Sequence, residues 1–227
     1  EANMDKMIFT MLNSMKNVQN KQSNNAHEIA NVVTPGFKKS YSEQTQSLDV
    51  HIPGTFATRA MPVTNATNVV DMNPGALMVS GRALDVYVNT SGAIAVQGPE
   101  GQELYTRRGD LTISADGQLM TGTGSLVLGD GGPITVPGGS NISITNDGSV
   151  NMIPRGANAE VTVGRIKLVD TKDTEMLIRE DGLYQVREGA LPASADITLT
   201  TKALEGSNVT VVDSMVRMIT LSRQYEM

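Results

Sequence analysis

Two histidines, His27 and His51, are the only imidazoles in the chain, and proton shuttling or metal capture would call on them first. His27 stands among Asn25, Ala26 and Glu28, and His51 beside Ile52-Pro53. Neither has a His-x-x-x-His spacing, so both read as ordinary surface residues. The glycine-rich run from Gly122-Thr123-Gly124-Ser125 to Gly129-Asp130-Gly131-Gly132 lacks the Gly-Lys-Ser/Thr ending that grips a phosphate. The Asp-Gly pairs lack both the dense acidic spacing and the following glutamate of a calcium loop. Ser14, Ser80 and Ser207 have no nucleophile-elbow context. With no cysteine, thiolate chemistry and disulfides are excluded. The residue types therefore point to no catalytic, cofactor or metal site. A carboxylate pair for hydrolysis is spatial and stays open at this stage.

The net charge of -6, with no Lys/Arg run longer than Lys38-Lys39 or Arg107-Arg108, argues against nucleic acid as a partner. No apolar stretch approaches the ~20 residues that span a bilayer. Asp5, Lys6, Asn13 and Ser14 interrupt the Met4 to Met15 stretch, so no cleaved leader is expected.

The elements that would hold any site are divided by punctuation. All 22 glycines and 9 prolines lie between Pro35 and Gly206. Because both residue types are costly inside helices, two helix-competent ends should flank a turn-rich, strand-rich middle. In the first segment Met4, Ile8, Met11, Met15 and Val18, then Ala26, Ile29 and Val33, recur at steps near 3 and 4, with Met7 and Leu12 widening the stripe. Asparagine is frequent there and ranks low in helix propensity, so this seam needs a partner. The stretch from Asn208 to Met227 offers one, with Val212, Met215, Val216 and Ile219 on one face, Met218 and Tyr225 beside them, and Ser207 or Asn208 as cap. Two helices of an ordinary globular core are the plainer alternative. The methionine-rich seam favours a terminal coiled coil that orders on assembly.

From Lys38 to Ser80 the chain reads as an extended connector, with β-prone pieces at Val69-Val70 and Leu77-Met78-Val79. From Arg82 onward apolar alternation is continuous. Three segments share Ile-x-x-Asp-Gly-x-apolar: Ile113 to Leu119, Ile144 to Val150 and Ile178 to Tyr184. Asp-Gly in this setting predicts type I′ hairpins, and their regular spacing suggests a meandering sheet rolled into a barrel-like body. The expected class is α+β, mainly β. Residues 1–37 and 205–227 form a terminal helical assembly domain pairing as a coiled coil, 38–80 a connector, and 81–204 a body of antiparallel strands.

Ala30-Asn31-Val32-Val33-Thr34-Pro35-Gly36-Phe37-Lys38 resembles the Ala-Asn-x-x-Thr-Pro-Gly-Phe-Lys/Arg signature of the flagellar rod and hook axial proteins. Arg82-Ala83-Leu84-Asp85-Val86, Tyr105-Thr106-Arg107-Arg108-Gly109 with Asp116-Gly117-Gln118-Leu119, and Leu204-Glu205-Gly206-Ser207-Asn208-Val209 resemble further family blocks, in the family's order. Within the family the resemblance is strongest to the proximal-rod branch, with a distal-rod or hook-type paralogue as alternative. His27-Glu28-Ile29 departs from the family's usual Asn-Asn-Leu, which puts the packing of that contact in doubt.

The resemblance implies a structural, non-enzymatic subunit of the bacterial flagellar basal-body rod, exported through the flagellar type III apparatus without a cleaved leader. Its implied partners are other proximal and distal rod subunits, with the surrounding basal-body rings as further neighbours, and neither nucleic acid nor a small-molecule substrate. The assembly-interface residues expected are Met4, Ile8, Met11, Met15, Val18, Ala30, Asn31, Thr34, Pro35, Gly36, Phe37, Asn208, Val209, Val212, Met215, Val216, Ile219 and Tyr225. The competing readings are an extracellular β-rich binding module and a wall-degrading enzyme.

Overall fold

The computed structural model describes residues 2–42, 49–50, 58–59, 68–187 and 189–226. His51 lies outside these residues, as do the side chains of Met4, Met7 and Tyr225. Helix α1 (Ala2–Ala30) and helix α2 (Val211–Glu226) flank a β-rich middle, so the fold is α+β and mainly β.

Helix α1 stops at Ala30, short of Pro35, where the glycine- and proline-free first segment ends. The Asn31 side chain takes the His27 carbonyl at 2.9 Å, and the Asn31 carbonyl is then claimed by the Thr34 amide at 3.0 Å. Asparagine side chains compete for backbone groups in this way. Val33 therefore leaves the apolar seam and stands 84% exposed. At the other end, Asn208 does not cap α2. Its side chain is committed to the connector, and the first helical bond of α2 runs from Ser214 N to the Thr210 carbonyl.

The largest sheet has seven antiparallel strands in the spatial order Ser40–Ser42, Asn68–Val70, Leu177–Ile178, Tyr184–Gln185, Glu103–Thr106, Gly92–Gln97 and Leu168–Asp170. Both faces of Gly92–Gln97 are covered, which explains its unbroken apolar run. Ile94 and Val96 point into a main core with Val86, Leu111, Leu119, Val150 and Leu199. Ala93 and Ala95 point into a second core with Tyr105, Val169 and Tyr184.

The three Asp-Gly hairpins form, but in three different sheets rather than one meander. Nor are they type I′. Gly117, Gly148 and Gly182 have φ near 80–88°, while none of the preceding aspartates has positive φ. In each, the glycine amide donates to the carbonyl three residues earlier, which is a type I turn followed by a glycine bulge. The aspartate stays right-handed because its carboxylate accepts from the backbone beyond the turn, as in Asp147 with Ser149 N and Asp181 with Leu183 N.

Candidate assembly interface

The Thr34-to-Lys38, Tyr105-to-Gly109 and Leu204-to-Val209 stretches, far apart in sequence, converge where the helices leave the body. The Thr34 carbonyl accepts from Phe37 N, closing a turn. Gly36, at φ 69°, lies against the body so closely that a Cβ would stand 2.6 Å from the Arg107 carbonyl oxygen. Only glycine fits there. Its amide donates to the Glu205 carbonyl at 2.7 Å and its carbonyl accepts from the Tyr184 hydroxyl at 3.3 Å. Burial raises the Tyr184 phenol pKa above its ordinary value.

Beneath this turn the Lys38, Arg107 and Glu205 side chains are fully buried, at 0% exposure. Glu205 accepts from Lys38 Nζ at 2.6 Å, from Arg107 Nε at 2.6 Å and Nη2 at 3.1 Å, and from the Gly75 amide at 2.6 Å. Arg107 spends its remaining donors on the carbonyls of Thr90, Gly92 and Val88, each at 2.7 Å. Lys38 also donates to the Asn73 carbonyl. Every polar atom is thus engaged, as buried charge requires. Burial pulls the Lys38 pKa down to about 8, with Glu205 opposing the shift and Arg107 adding to it.

Asn208 closes the same region from the α2 side. It accepts from Lys39 N at 2.7 Å and donates to the carbonyls of Asp71 at 3.0 Å and Asn73 at 3.3 Å. Val209 is buried beside it. Of the expected interface residues, the structure gathers Asn31, Thr34, Pro35, Gly36, Phe37, Asn208 and Val209 around this junction, buried or half-buried within the chain itself. Ala30 is exposed at its edge.

The two helices lie side by side and are joined by polar contacts. Asn25 donates to the Ser214 carbonyl at 2.8 Å, and Arg217 pairs with the buried Glu28 at 3.3 Å. Burial raises the Glu28 pKa, opposed first by Arg217 and then by Lys39. His27 meets the Phe37 ring at 5.7 Å between centroids. Residues 27 and 28, where the chain departs from the family pattern, thus join α1 to the turn and to α2. The apolar residues face outward: Ile8 is 50% exposed, Met11 65%, Met15 48%, Val212 67%, Met215 54%, Val216 58% and Ile219 57%. Val18 is half-buried.

A cavity of 240 Å³ beside the turn is lined by His27, Phe37, Arg108, Arg179, Asp181 and Tyr184, smaller than the ~300–1,000 Å³ of typical ligand sites. A second, of 580 Å³ between the helices, is walled by Lys21, Glu28, Lys39 and Arg217 together with Tyr41 and Leu221. Among the described residues no cluster of His, Cys, Asp and Glu could hold a metal.

Sequence reasoning missed the ionic trio and the Glu28–Arg217 pair. The visible signal was that Lys38, Arg107 and Glu205 each stand inside a different resemblance block. Pairing across 98 and 167 residues leaves no local trace.

Comparison with known proteins agrees with this geometry. Residues 87–152 match the "Flagellar hook protein FlgE/F/G D1 domain", and residues 200–227 the "Flagellar basal body rod FlgEFG protein C-terminal". The flagellar basal-body rod protein FlgF of Salmonella typhimurium is 38% identical, over 99% of this chain and 91% of its own length. FlgF of Escherichia coli is 35% identical over the same shares. FlgG of Buchnera aphidicola is 30% identical over 88% of this chain and 84% of its own length. Identity across nearly the whole chain, with the matched blocks meeting at one buried junction, makes this chain a member of the flagellar basal-body rod protein family, in its proximal-rod FlgF branch.

Proposed function

We propose that the chain is a structural axial subunit of the bacterial flagellar rod, in the basal body, whose work is assembly and transmission of torque from motor to hook rather than catalysis. The observation that carries this reading is the outward apolar face of both helices beside a junction that satisfies itself. A side chain such as Met215 or Ile219 is worth ~1.5–3 kcal/mol when it leaves water, and this face gains that only against neighbours. Helix α1, 29 residues long, spans about 43 Å at ~1.5 Å per residue, and its body-proximal part lies beside α2.

In this reading the helices continue their seam as a coiled coil with helices of adjacent rod subunits, and the body forms an outer layer around them. Residues 1–37 and 205–227 act as the assembly unit, 38–80 as connector and 81–204 as body. Neighbouring proximal and distal rod subunits are the partners, with the basal-body rings around them. The flagellar type III apparatus exports the chain. No cofactor, nucleic acid or small substrate takes part.

The test is complementation of a rod-defective strain. The chain should restore motility and appear in isolated basal bodies, while Met215→Glu with Ile219→Glu should be secreted yet not incorporated. Normal incorporation of that double variant would overturn the reading.

A further inference from the structure

We infer that Glu205 is a positioning residue: its buried carboxylate sets the direction in which both terminal helices leave the body. The group joins four separated stretches at once. Lys38 follows the α1 exit turn, Glu205 itself precedes α2, Arg107 belongs to the body, and Gly75 lies in the stretch between. Apolar burial at the exits is slight: Val209 is buried, but Val33 is 84% exposed, Val211 37% and Val212 67%. Hydrophobic burial is also non-directional, whereas a bidentate guanidinium–carboxylate pair fixes orientation.

The charge balance supplies a distinctive test. With Lys38 protonated, the cluster holds two cations and one carboxylate. Glu205→Gln leaves both cations without a counter-charge, and adding Lys38→Met restores the native net charge. If excess charge alone loosened the exits, that second change would tighten them again, whereas it does not restore the carboxylate's links to Lys38, Arg107 and Gly75.

The direction of the helices matters because of the axial role proposed above, but it is measured on the isolated chain. The chain has no native cysteine, so Ala26→Cys with Lys172→Cys, and separately Asp213→Cys with Asp196→Cys, take spin labels specifically at exposed positions. Dipolar spectroscopy should give one narrow distance distribution for each pair. Both distributions should broaden in Glu205→Gln and stay broad in Glu205→Gln/Lys38→Met. Leu119→Ala, a core change in the body, should lower the thermal midpoint and leave both distributions narrow. Should Glu205→Gln fail to fold, Glu205→Asp is measured instead with the same broadening expected. Narrow distributions in the Glu205 variants, or equal broadening in Leu119→Ala, would overturn the inference. Neither result would touch the axial role, which complementation tests by itself.

Discussion

The junction and the helices that spring from it differ in what they bury. At the junction, charged side chains at 0% exposure find all their partners within one chain. A few residues away, α1 and α2 leave methionine, isoleucine and valine side chains half or more exposed and spend their mutual contact on Asn25, Glu28, Ser214 and Arg217. The first region is complete in the monomer, and in the proposed axial role the second is completed by neighbours. An axial protein needs both: a joint that holds its angle alone, and faces that stay available until the next subunit arrives.

The hardest blow to that contrast is Glu205→Ala. It leaves Lys38 and Arg107 as uncompensated buried cations, and should cost about 3–5 kcal/mol by chemical denaturation. A loss near that of a surface substitution would mean the junction is not self-sufficient. Next is Gly36→Ala. The new Cβ meets the Arg107 carbonyl oxygen at 2.6 Å, at a φ of 69°, so a loss of roughly 1–3 kcal/mol is expected.

The Lys38→Met variant sharpens the electrostatics through pH. Lys38 falls from its ordinary 10.5 to about 8 in the folded chain, so between those values the unfolded chain binds more protons. Its contribution to stability is therefore present above 10.5 and lost as pH falls through about 8. Denaturation from pH 7 to 11 should show the wild type gaining on Lys38→Met across that window. A constant difference would contradict the assignment.

The smallest effect on the monomer should come from the helix faces. Met215→Ser with Ile219→Ser is expected to change monomer stability by no more than about 0.5 kcal/mol per site. Incorporation into basal bodies should nevertheless be lost. A large loss in the monomer would show that these side chains already pack within the chain.

How much of this was legible in the sequence follows the range of the interactions. The division into two glycine-free helices around a β-rich middle is local information, and it reads directly. So do the hairpins, since Asp-Gly forces a turn wherever it stands. The turn type did not read, because the side-chain bonds of Asp147 and Asp181 to the backbone decide it. The end of α1 was misplaced for a similar reason, as Asn31 stops the helix before Pro35 can. Asn208 looked like a cap because its type suits one, yet contacts with Asp71 and Asn73 claim it. The junction motifs were visible as a resemblance, but the ionic trio inside them was not. Lys38, Arg107 and Glu205 become partners only once the connector, the body and both helix ends meet.

Hydrogen exchange with mass spectrometry on the dilute monomer tests the contrast most directly. Amides from about Asn25 to Lys39 and from Ala203 to about Arg217 should exchange slowly, with the body, because the junction holds them. The N-terminal half of α1 should exchange fast, and become protected only in assembled rods. Protection along all of α1 in the monomer, or rapid exchange at Gly36 and Glu205, would contradict a self-contained joint bearing unfinished helices.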